Sequence, residues 1–393
     1  MAQLANKDLF VELDRTFARQ KESSNAENEA ESSYLFESLM MAHGSSLDWE
    51  ALLKRFRVVI LGEAGSGKTW EMREQVKKLT AAGDAAFFIR LDELAGASCR
   101  VAMTDNHYEQ LQEALASGQE VSLFLDSVDE AKLVSPAAFR VALKNLSDAL
   151  PPLVLPRVKL FLSTRISAWN SDFEIPGLRE LFGRGPAREK AKVENDDDEP
   201  KSEESQADWE VFKISPLNRE QVAKLAHASG IKEAKSFLGA IDSAHAWEFA
   251  RRPSDVKPLA RFWLKNGRLG TLTELIEFDV AQKLLEVRFH VDAQLSEDEA
   301  RLGAETLAAG CVLCQLPVIR LPTDGSVEEA LDGKACIAAD GWVGTKYNAL
   351  LDRPIFDEAN LGKVRFHHRR VREYLAAKWI ERQMHAGCPL NEF

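Results

Sequence analysis

The chain has 393 residues, of which 45% are hydrophobic and 28% are charged, a composition typical of globular proteins with a large core. The formal net charge of −12 and the pI near 5.3 exclude general electrostatic attraction to nucleic acid or to anionic membranes. No stretch approaches the roughly 18 apolar residues that a membrane-spanning helix needs. Five scattered cysteines and the lack of a secretory leader predict a cytoplasmic protein with reduced thiols.

The first half of the chain divides into two regions. Residues 1–50 read as a helical N-terminal extension, because apolar residues at helical spacing from Leu9 to Phe17 precede a polar stretch. Residues 51–215 alternate short apolar runs with segments long enough for crossover helices, which is typical of βαβ units and predicts an α/β fold with a parallel sheet. The predicted strands are Val58–Leu61, Ala85–Leu91, Val121–Leu125 and Val158–Leu162.

An acidic insertion interrupts this core at residues 183–208. Between Glu194 and Asp208 the chain carries eight acidic residues and one lysine, and apolar side chains are nearly absent. Such a segment buries too little surface to offset the entropy of ordering it, so we expect a disordered loop.

The chain after Trp209 reads mostly as helix. Asn218 with Gln221, and Ser296 with Glu299, have the spacing of capping boxes at helix starts. We interpret residues 216–290 as a helical lid and residues 291–393 as a further domain.

A glycine-rich loop is the strongest functional signal. Residues 62–69 read Gly62, Glu63, Ala64, Gly65, Ser66, Gly67, Lys68 and Thr69, and they match the phosphate-loop pattern G-x-x-x-x-G-K-[ST]. The loop follows a predicted strand and opens a predicted helix, which is the context that the motif requires. Its backbone N–H groups would surround phosphates, Lys68 would bridge the β- and γ-phosphates, and Thr69 would ligate Mg²⁺.

Acidic and basic residues follow two other predicted strands. Asp126 ends an apolar strand, where a carboxylate near a phosphate loop can hold Mg²⁺. Asp129 and Glu130 are candidates for the base that activates water, and the spacing does not choose between them. Arg165 follows the next strand and would face the same crevice, where it could sense the γ-phosphate or pair with a surface acid. Because no Asn-Lys-x-Asp guanine motif occurs, adenine is the favoured base, and the expected ligands are ATP, ADP and Mg²⁺.

Together these residues resemble the NACHT branch of the STAND class of P-loop ATPases, signal-transducing switches related to AAA+ enzymes. The resemblance spans residues 57–384 and departs from the family where Ser127 replaces a glycine. Four blocks carry it: Gly62–Thr69, Leu123–Glu130, Phe161–Arg165 and Phe366–Ala377.

The resemblance implies a three-layer, AAA+-like P-loop core, then the helical lid, then a winged-helix domain at residues 291–393. It implies that Pro253 lies against adenine and that His368 contacts the β-phosphate of ADP. Members of this family hold ADP when off and assemble into oligomers with ATP. They also carry effector and sensor domains, which we expect on another chain or elsewhere in a longer protein.

The sequence therefore favours a slowly hydrolysing, ATP-dependent switch that forms homo-oligomers on activation. Many bacterial NACHT proteins serve in conflict systems, so an anti-phage role is the implied context. An AAA+ motor that remodels protein or nucleic acid is the alternative, and a nucleotide-binding scaffold without turnover is a third. No residue pattern identifies the trigger, and none indicates a membrane or nucleic-acid partner.

Overall fold

The computed structural model of this protein describes residues 10–20, 46–103, 105–126, 128, 136–166, 169–186, 208–285, 295–321, 330–338, 342, 344–358 and 363–388. The chain forms two compact units, Met1–Gln221 with Arg252–Ser254, and Val222–Arg251 with Asp255–Phe393. Among the described helices, none has the length and apolar character that crossing a lipid bilayer requires.

The strands and helices are numbered here in chain order. The strands are β1 (Phe17–Arg19), β2 (Arg57–Leu61), β3 (Ala85–Arg90), β4 (Val121–Asp126), β5 (Val158–Thr164), β6 (Glu210–Ile214), β7 (Ile319–Arg320), β8 (Phe356–Glu358) and β9 (Lys363–Phe366). The helices are α1 (Trp49–Leu53), α2 (Lys68–Ala82), α3 (Leu91–Gly96), α4 (Cys99–Ala102), α5 (Asp105–Ser117), α6 (Pro136–Asp148), α7 (Ser171–Phe182), α8 (Arg219–Ala228), α9 (Ala234–Ser243), α10 (Pro253–Asn266), α11 (Leu272–Leu285), α12 (Glu297–Leu313), α13 (Gly333–Ala338), α14 (Gly344–Leu351) and α15 (Arg369–His385).

The first unit is built on a six-stranded sheet with the order β1-β6-β2-β5-β4-β3. The pairings from β6 through β3 are parallel, and the edge strand β1 is antiparallel to β6. All four strands predicted from the sequence are present, and the mixed α/β fold with a mostly parallel sheet is confirmed. Because β5 lies between β2 and β4, the carboxyl ends of these three strands meet at one edge of the sheet.

Two apolar layers cover the faces of this sheet because strand side chains alternate in direction. Val59 and Leu61 belong to the core on one face, with residues of α3, α5, α6 and α7. Val58 and Ile60 belong to the core on the other face, which contains residues of α1 and α2. Both faces are therefore buried, and the strands consequently read as continuous apolar runs rather than as alternating ones.

The prediction of a helical N-terminal extension is wrong for residues 17–19. Phe17 is fully buried, and its strand β1 pairs with β6 along Phe17–Ile214. Apolar residues four apart fit one face of a helix, but here the edge of β6 pairs with the backbone of residues 17–19, and the strand conformation places Phe17 in the core of the sheet. The remaining residues up to position 9 and from 21 to 45 lie outside the described part of the chain, and so does most of the acidic insertion.

The mostly helical interpretation of the chain after Trp209 holds for the described residues, and four short strands stand among the helices. Strand β6 joins the main sheet, while β7, β9 and β8 form a separate antiparallel sheet in that order. In the second unit, α12 and α15 pack along each other, and Val371 and Leu375 of α15 are fully buried. The capping boxes at Asn218 and at Ser296 are both present.

Candidate functional site

The phosphate loop connects β2 to α2 at the carboxyl edge of the main sheet. Gly65 and Gly67 have φ values of +72° and +94°, in the left-handed region that favours glycine. A Cβ at Gly65 would lie 2.1 Å from Oγ of Ser254, so the packing at this position also excludes a side chain. Gly65 is therefore required by both backbone conformation and close approach, and Gly67 by its backbone conformation.

The Lys68 side chain folds back over its own loop. Its Nζ donates to the carbonyl oxygens of Gly62 at 2.7 Å and of Glu63 at 3.3 Å. Oγ of Ser66 is buried and has no hydrogen-bond partner among the described residues. A buried hydroxyl without a partner is costly, and a phosphate oxygen would satisfy it, so the loop fits a nucleotide phosphate.

Asp126 lies at the end of β4 and is 4% exposed. Its Oδ2 accepts a hydrogen bond of 2.7 Å from Oγ1 of Thr69, and its Oδ1 accepts one from the Ser163 hydroxyl. Hydroxyl and carboxylate oxygens are the ligands that Mg²⁺ prefers, so Thr69 and Asp126 fit this ion. The described residues contain no group of three or more His, Cys, Asp or Glu side chains that could enclose a metal. Any Mg²⁺ here would therefore need oxygens from the nucleotide and water.

Arg165 follows β5 directly and is half-buried. Strands β4 and β5 are parallel neighbours in a register that aligns Leu125 with Leu162. The backbones of Arg165 and Asp126 therefore emerge from adjacent strands at the same edge of the sheet. Asp129 and Glu130, the candidates for the base, lie outside the described residues, as does Ser127.

Arg252 and the first two residues of α10 contact the phosphate loop in the first unit. Cγ of Pro253 lies 3.5 Å from the position that a Cβ of Gly67 would take. Arg252 donates from Nη1 to the Ala64 carbonyl at 3.2 Å, and the Ser254 amide donates to the Gly65 carbonyl at 3.3 Å. Pro253 is thus adjacent to the loop that would carry the phosphates.

His368 lies in the second unit, at the N-terminal end of α15, and is 6% exposed. Its Nε2 is 3.4 Å from Oδ2 of Asp255, and its ring meets Phe249 edge-on with centroids 4.7 Å apart. These neighbours hold the imidazole in one orientation within its unit.

The neighbouring His367 forms a second histidine–aspartate pair. Its Nε2 lies 2.7 Å from Oδ2 of Asp279, and its Nδ1 lies 2.9 Å from the Ile355 carbonyl. Burial tends to raise the pKa of Asp279, but Lys283 and His367 outweigh it and the pKa is lowered. Among the described residues, the two adjacent histidines thus face two different carboxylates.

Sequence reasoning missed Arg15, Ser163, Arg252 and Ser254. Ser163 stands within the block that ends in Arg165, so its position after an apolar strand was a usable signal. Arg15 carries no local signal, because the atoms that it binds belong to residues 51 and 200 positions away.

Comparisons with known proteins give only remote likenesses. No family model and no curated protein matches the chain. A replication initiator DnaA bound to AMPPCP and single-stranded DNA aligns with a TM-score of 0.35 and 15% identity, covering 74% of this chain and 84% of the other. The Walker-type ATPase PABY2304 of Pyrococcus abyssi aligns at 0.36 and 12%, covering 91% and 98%. AMPPCP-bound DnaA from Aquifex aeolicus aligns at 0.36 and 13%, covering 91% and 96%. At such TM-scores the likeness carries no argument, and the fold class rests on the sheet order itself.

Proposed function

We propose that this chain binds ATP with Mg²⁺ and hydrolyses it slowly, as a nucleotide-dependent switch. The observation that carries the proposal is the hydrogen bond between Thr69 of the phosphate loop and Asp126 of a second strand. It unites, at one edge of a parallel sheet, the phosphate-binding loop and the carboxylate that P-loop ATPases use for the metal.

Binding of the nucleotide is assigned to residues 62–69 and to Pro253. The loop amides and Lys68 would hold the phosphates, and Pro253 would lie against adenine. Thr69 and Asp126 would hold Mg²⁺, which would supply positive charge near the phosphate oxygens. Asp129 or Glu130 would orient and deprotonate water, and Arg165 would sense the γ-phosphate.

The assignment to the NACHT branch of STAND ATPases rests on the four sequence blocks and gains support from the second unit. The order α12-β7-α13-α14-β8-β9, with the sheet order β7-β9-β8, supports the interpretation of residues 291–393 as a winged-helix domain. In this class the chain would hold ADP when off and form homo-oligomers with ATP. His368 would then contact the β-phosphate of ADP and stabilise the off state, and an anti-phage role would follow from the resemblance.

Steady-state ATP turnover tests the proposal against its alternatives. A switch hydrolyses slowly, and both Asp129→Asn and Glu130→Gln are expected to bind ATP while at least one of them slows turnover further. The control is Asp148→Asn, which changes an exposed acid at the end of α6 and should turn over at the wild-type rate. Fast continuous turnover would instead favour an AAA+ motor. Binding without any turnover would identify a scaffold.

A further inference from the structure

The carbonyl groups of the phosphate loop accept hydrogen bonds from three parts of the chain, the loop's own Lys68 and two segments that lie outside the loop. Five consecutive carbonyl groups of the loop each accept a hydrogen bond. The donors are Lys68 Nζ for Gly62 and Glu63, Arg252 Nη1 for Ala64, the Ser254 amide for Gly65 and Arg15 Nη1 for Ser66. Because the C=O and N–H of a peptide point in opposite directions, occupied outer carbonyls favour amides that point into the loop.

Arg15 is the most buried of these donors. It is 2% exposed, and its guanidinium donates from Nη1 to the Ser66 carbonyl at 2.8 Å and from Nη2 to the Ser215 carbonyl at 2.6 Å. Burial lowers its pKa to about 10, so the group remains a cation at neutral pH. The planar guanidinium of Arg15 therefore links the phosphate loop to Ser215, the residue that follows β6.

The backbone before Arg15 is held in an uncommon conformation. Asp14 has a φ of +48°, a left-handed value that a non-glycine residue adopts rarely and keeps only where its surroundings impose it. The buried Gln221 amide imposes it, because Nε2 donates to the carbonyls of Leu13 at 2.7 Å and of Asp14 at 3.0 Å. Beyond the bend, Thr16 accepts a bond from the Ser215 amide at 2.9 Å, and β1 begins.

We propose that Arg15 is a positioning residue of the phosphate loop, through which the N-terminal segment (residues 10–20) sets the affinity of the loop for nucleotide phosphates. The inference rests on the proposed nucleotide binding but assigns Arg15 no contact with the ligand. It acts by holding the Ser66 carbonyl outward while the segment is anchored by Gln221 and β1. A shift of that segment would loosen the loop and weaken binding.

Arg57 offers a matched control. It is 1% exposed, its pKa is also lowered to about 10 by burial, and it donates to backbone carbonyls at Leu155 and Phe182, at 3.1 and 3.0 Å. None of these acceptors belongs to the phosphate loop. A substitution of Arg57 therefore reproduces the loss of a buried, multiply bonded guanidinium without touching the loop.

The test compares Arg15→Lys, Arg15→Met and Arg57→Lys by calorimetry with Mg-ATP, ADP and pyrophosphate, well below each melting temperature. Lysine keeps the positive charge, but its single ammonium group cannot donate to the Ser66 and Ser215 carbonyls together as the planar guanidinium does. We expect both Arg15 variants to bind all three ligands at least about tenfold more weakly, and Arg57→Lys to bind at the wild-type level with a lowered melting temperature.

Other outcomes separate the possibilities. If Arg15→Met weakens binding and Arg15→Lys does not, the charge acts on the ligand directly and the positioning role is overturned. If Arg15→Lys changes only the melting temperature, the residue is structural and the inference is again overturned. If the wild-type chain binds no ATP, the proposed function itself fails.

A second variant covers the case in which Arg15 variants do not fold. Gln221→Glu keeps the acceptor oxygen that caps α8 at the Asn218 amide, but it replaces the donor that holds the bend. We expect weaker binding of pyrophosphate with an unchanged helix content. Wild-type affinity in this variant would contradict the proposal.

Discussion

Oδ2 of Asp126 accepts a 2.7 Å hydrogen bond from the Thr69 hydroxyl, so the end of β4 is joined to the first turn of α2. The strand between them, β5, contributes Ser163, whose hydroxyl donates to the other oxygen of the same carboxylate. The Thr69 hydroxyl and the Asp126 carboxylate are oxygen ligands suited to Mg²⁺. The Ser163 hydroxyl holds the Asp126 carboxylate in place.

Replacing Asp126 by Asn should therefore remove the dependence of ATP binding on Mg²⁺. The amide keeps the size of the side chain but lacks the negative charge that attracts the ion. Calorimetry with and without EDTA measures the effect. We expect the variant to bind ATP equally in both conditions, while Ser163→Ala retains the metal dependence of the wild type. An unchanged response to EDTA in Asp126→Asn would remove Asp126 from the metal site.

Lys68→Ala should weaken Mg-ATP binding at least about tenfold, or ~1.4 kcal/mol, because it removes both the cation and the donor to two loop carbonyls. Lys77→Ala is the matched control, since Lys77 is exposed on the same helix and forms an ion pair with Glu74 at 3.1 Å. Equal affinities for the two variants would argue against the phosphate-loop assignment.

His368→Leu should release ADP faster if the histidine stabilises the off state. A charge-assisted hydrogen bond to phosphate is worth ~1.5–3 kcal/mol, so we expect the off-rate to rise roughly ten- to a hundredfold. Stopped-flow release of a fluorescent ADP measures it, and particle mass reports any assembly. His385→Leu, at the exposed end of α15, is the control. A wild-type off-rate in His368→Leu would leave this histidine a purely structural partner of Asp255.

The pair of His367 and Asp279 predicts a specific pH dependence of stability. A carboxylate whose pKa is lowered on folding stabilises the fold above its unfolded pKa of ~3.9, and this contribution is lost as the pH falls through the folded value. Asp279→Asn should cost about 1–3 kcal/mol at neutral pH, because it disturbs a buried pair. It should also flatten the loss of stability below about pH 4.

Chemical unfolding at pH 7 and pH 3 checks this expectation. Glu274→Gln is the control, because the hydrogen bond with Arg268 lowers the pKa of Glu274 to about 2, yet the pair lies at the surface and the Glu274 side chain is 42% exposed. Such a surface pair should change stability little. If Asp279→Asn and the wild type lose stability in parallel between these two pH values, the lowered pKa of Asp279 is not what supports the second unit.

The central strands could be predicted because their signal is local. Val58–Leu61 is a continuous run of apolar residues, Val121–Leu125 is apolar except at Ser122, and both faces of the sheet are indeed buried. The phosphate loop could be predicted for the same reason, since its glycines serve the backbone of the loop itself. Asp126 also stood out, because a carboxylate straight after a buried strand needs a partner.

The edge strands could not be predicted in this way. Phe17 takes its place in the core because β1 pairs with β6, and β6 is placed by pairing with β2, about 150 residues earlier in the chain. Arg15 is a further case, since its partners at Ser66 and Ser215 are brought together by the fold alone. Long-range pairing leaves no periodicity in the sequence, and these features therefore required the structure.

The strand order also constrains how the protein is made. Strand β2 carries the phosphate loop, yet both of its neighbours come later in synthesis, β5 at Val158 and β6 at Glu210. A nascent chain released before Glu210 would expose one edge of β2 as an unpaired template for other strands. Ribosome-bound chains should consequently acquire a protease-resistant loop only after Ile214 has left the exit tunnel, and shorter chains should depend on chaperones.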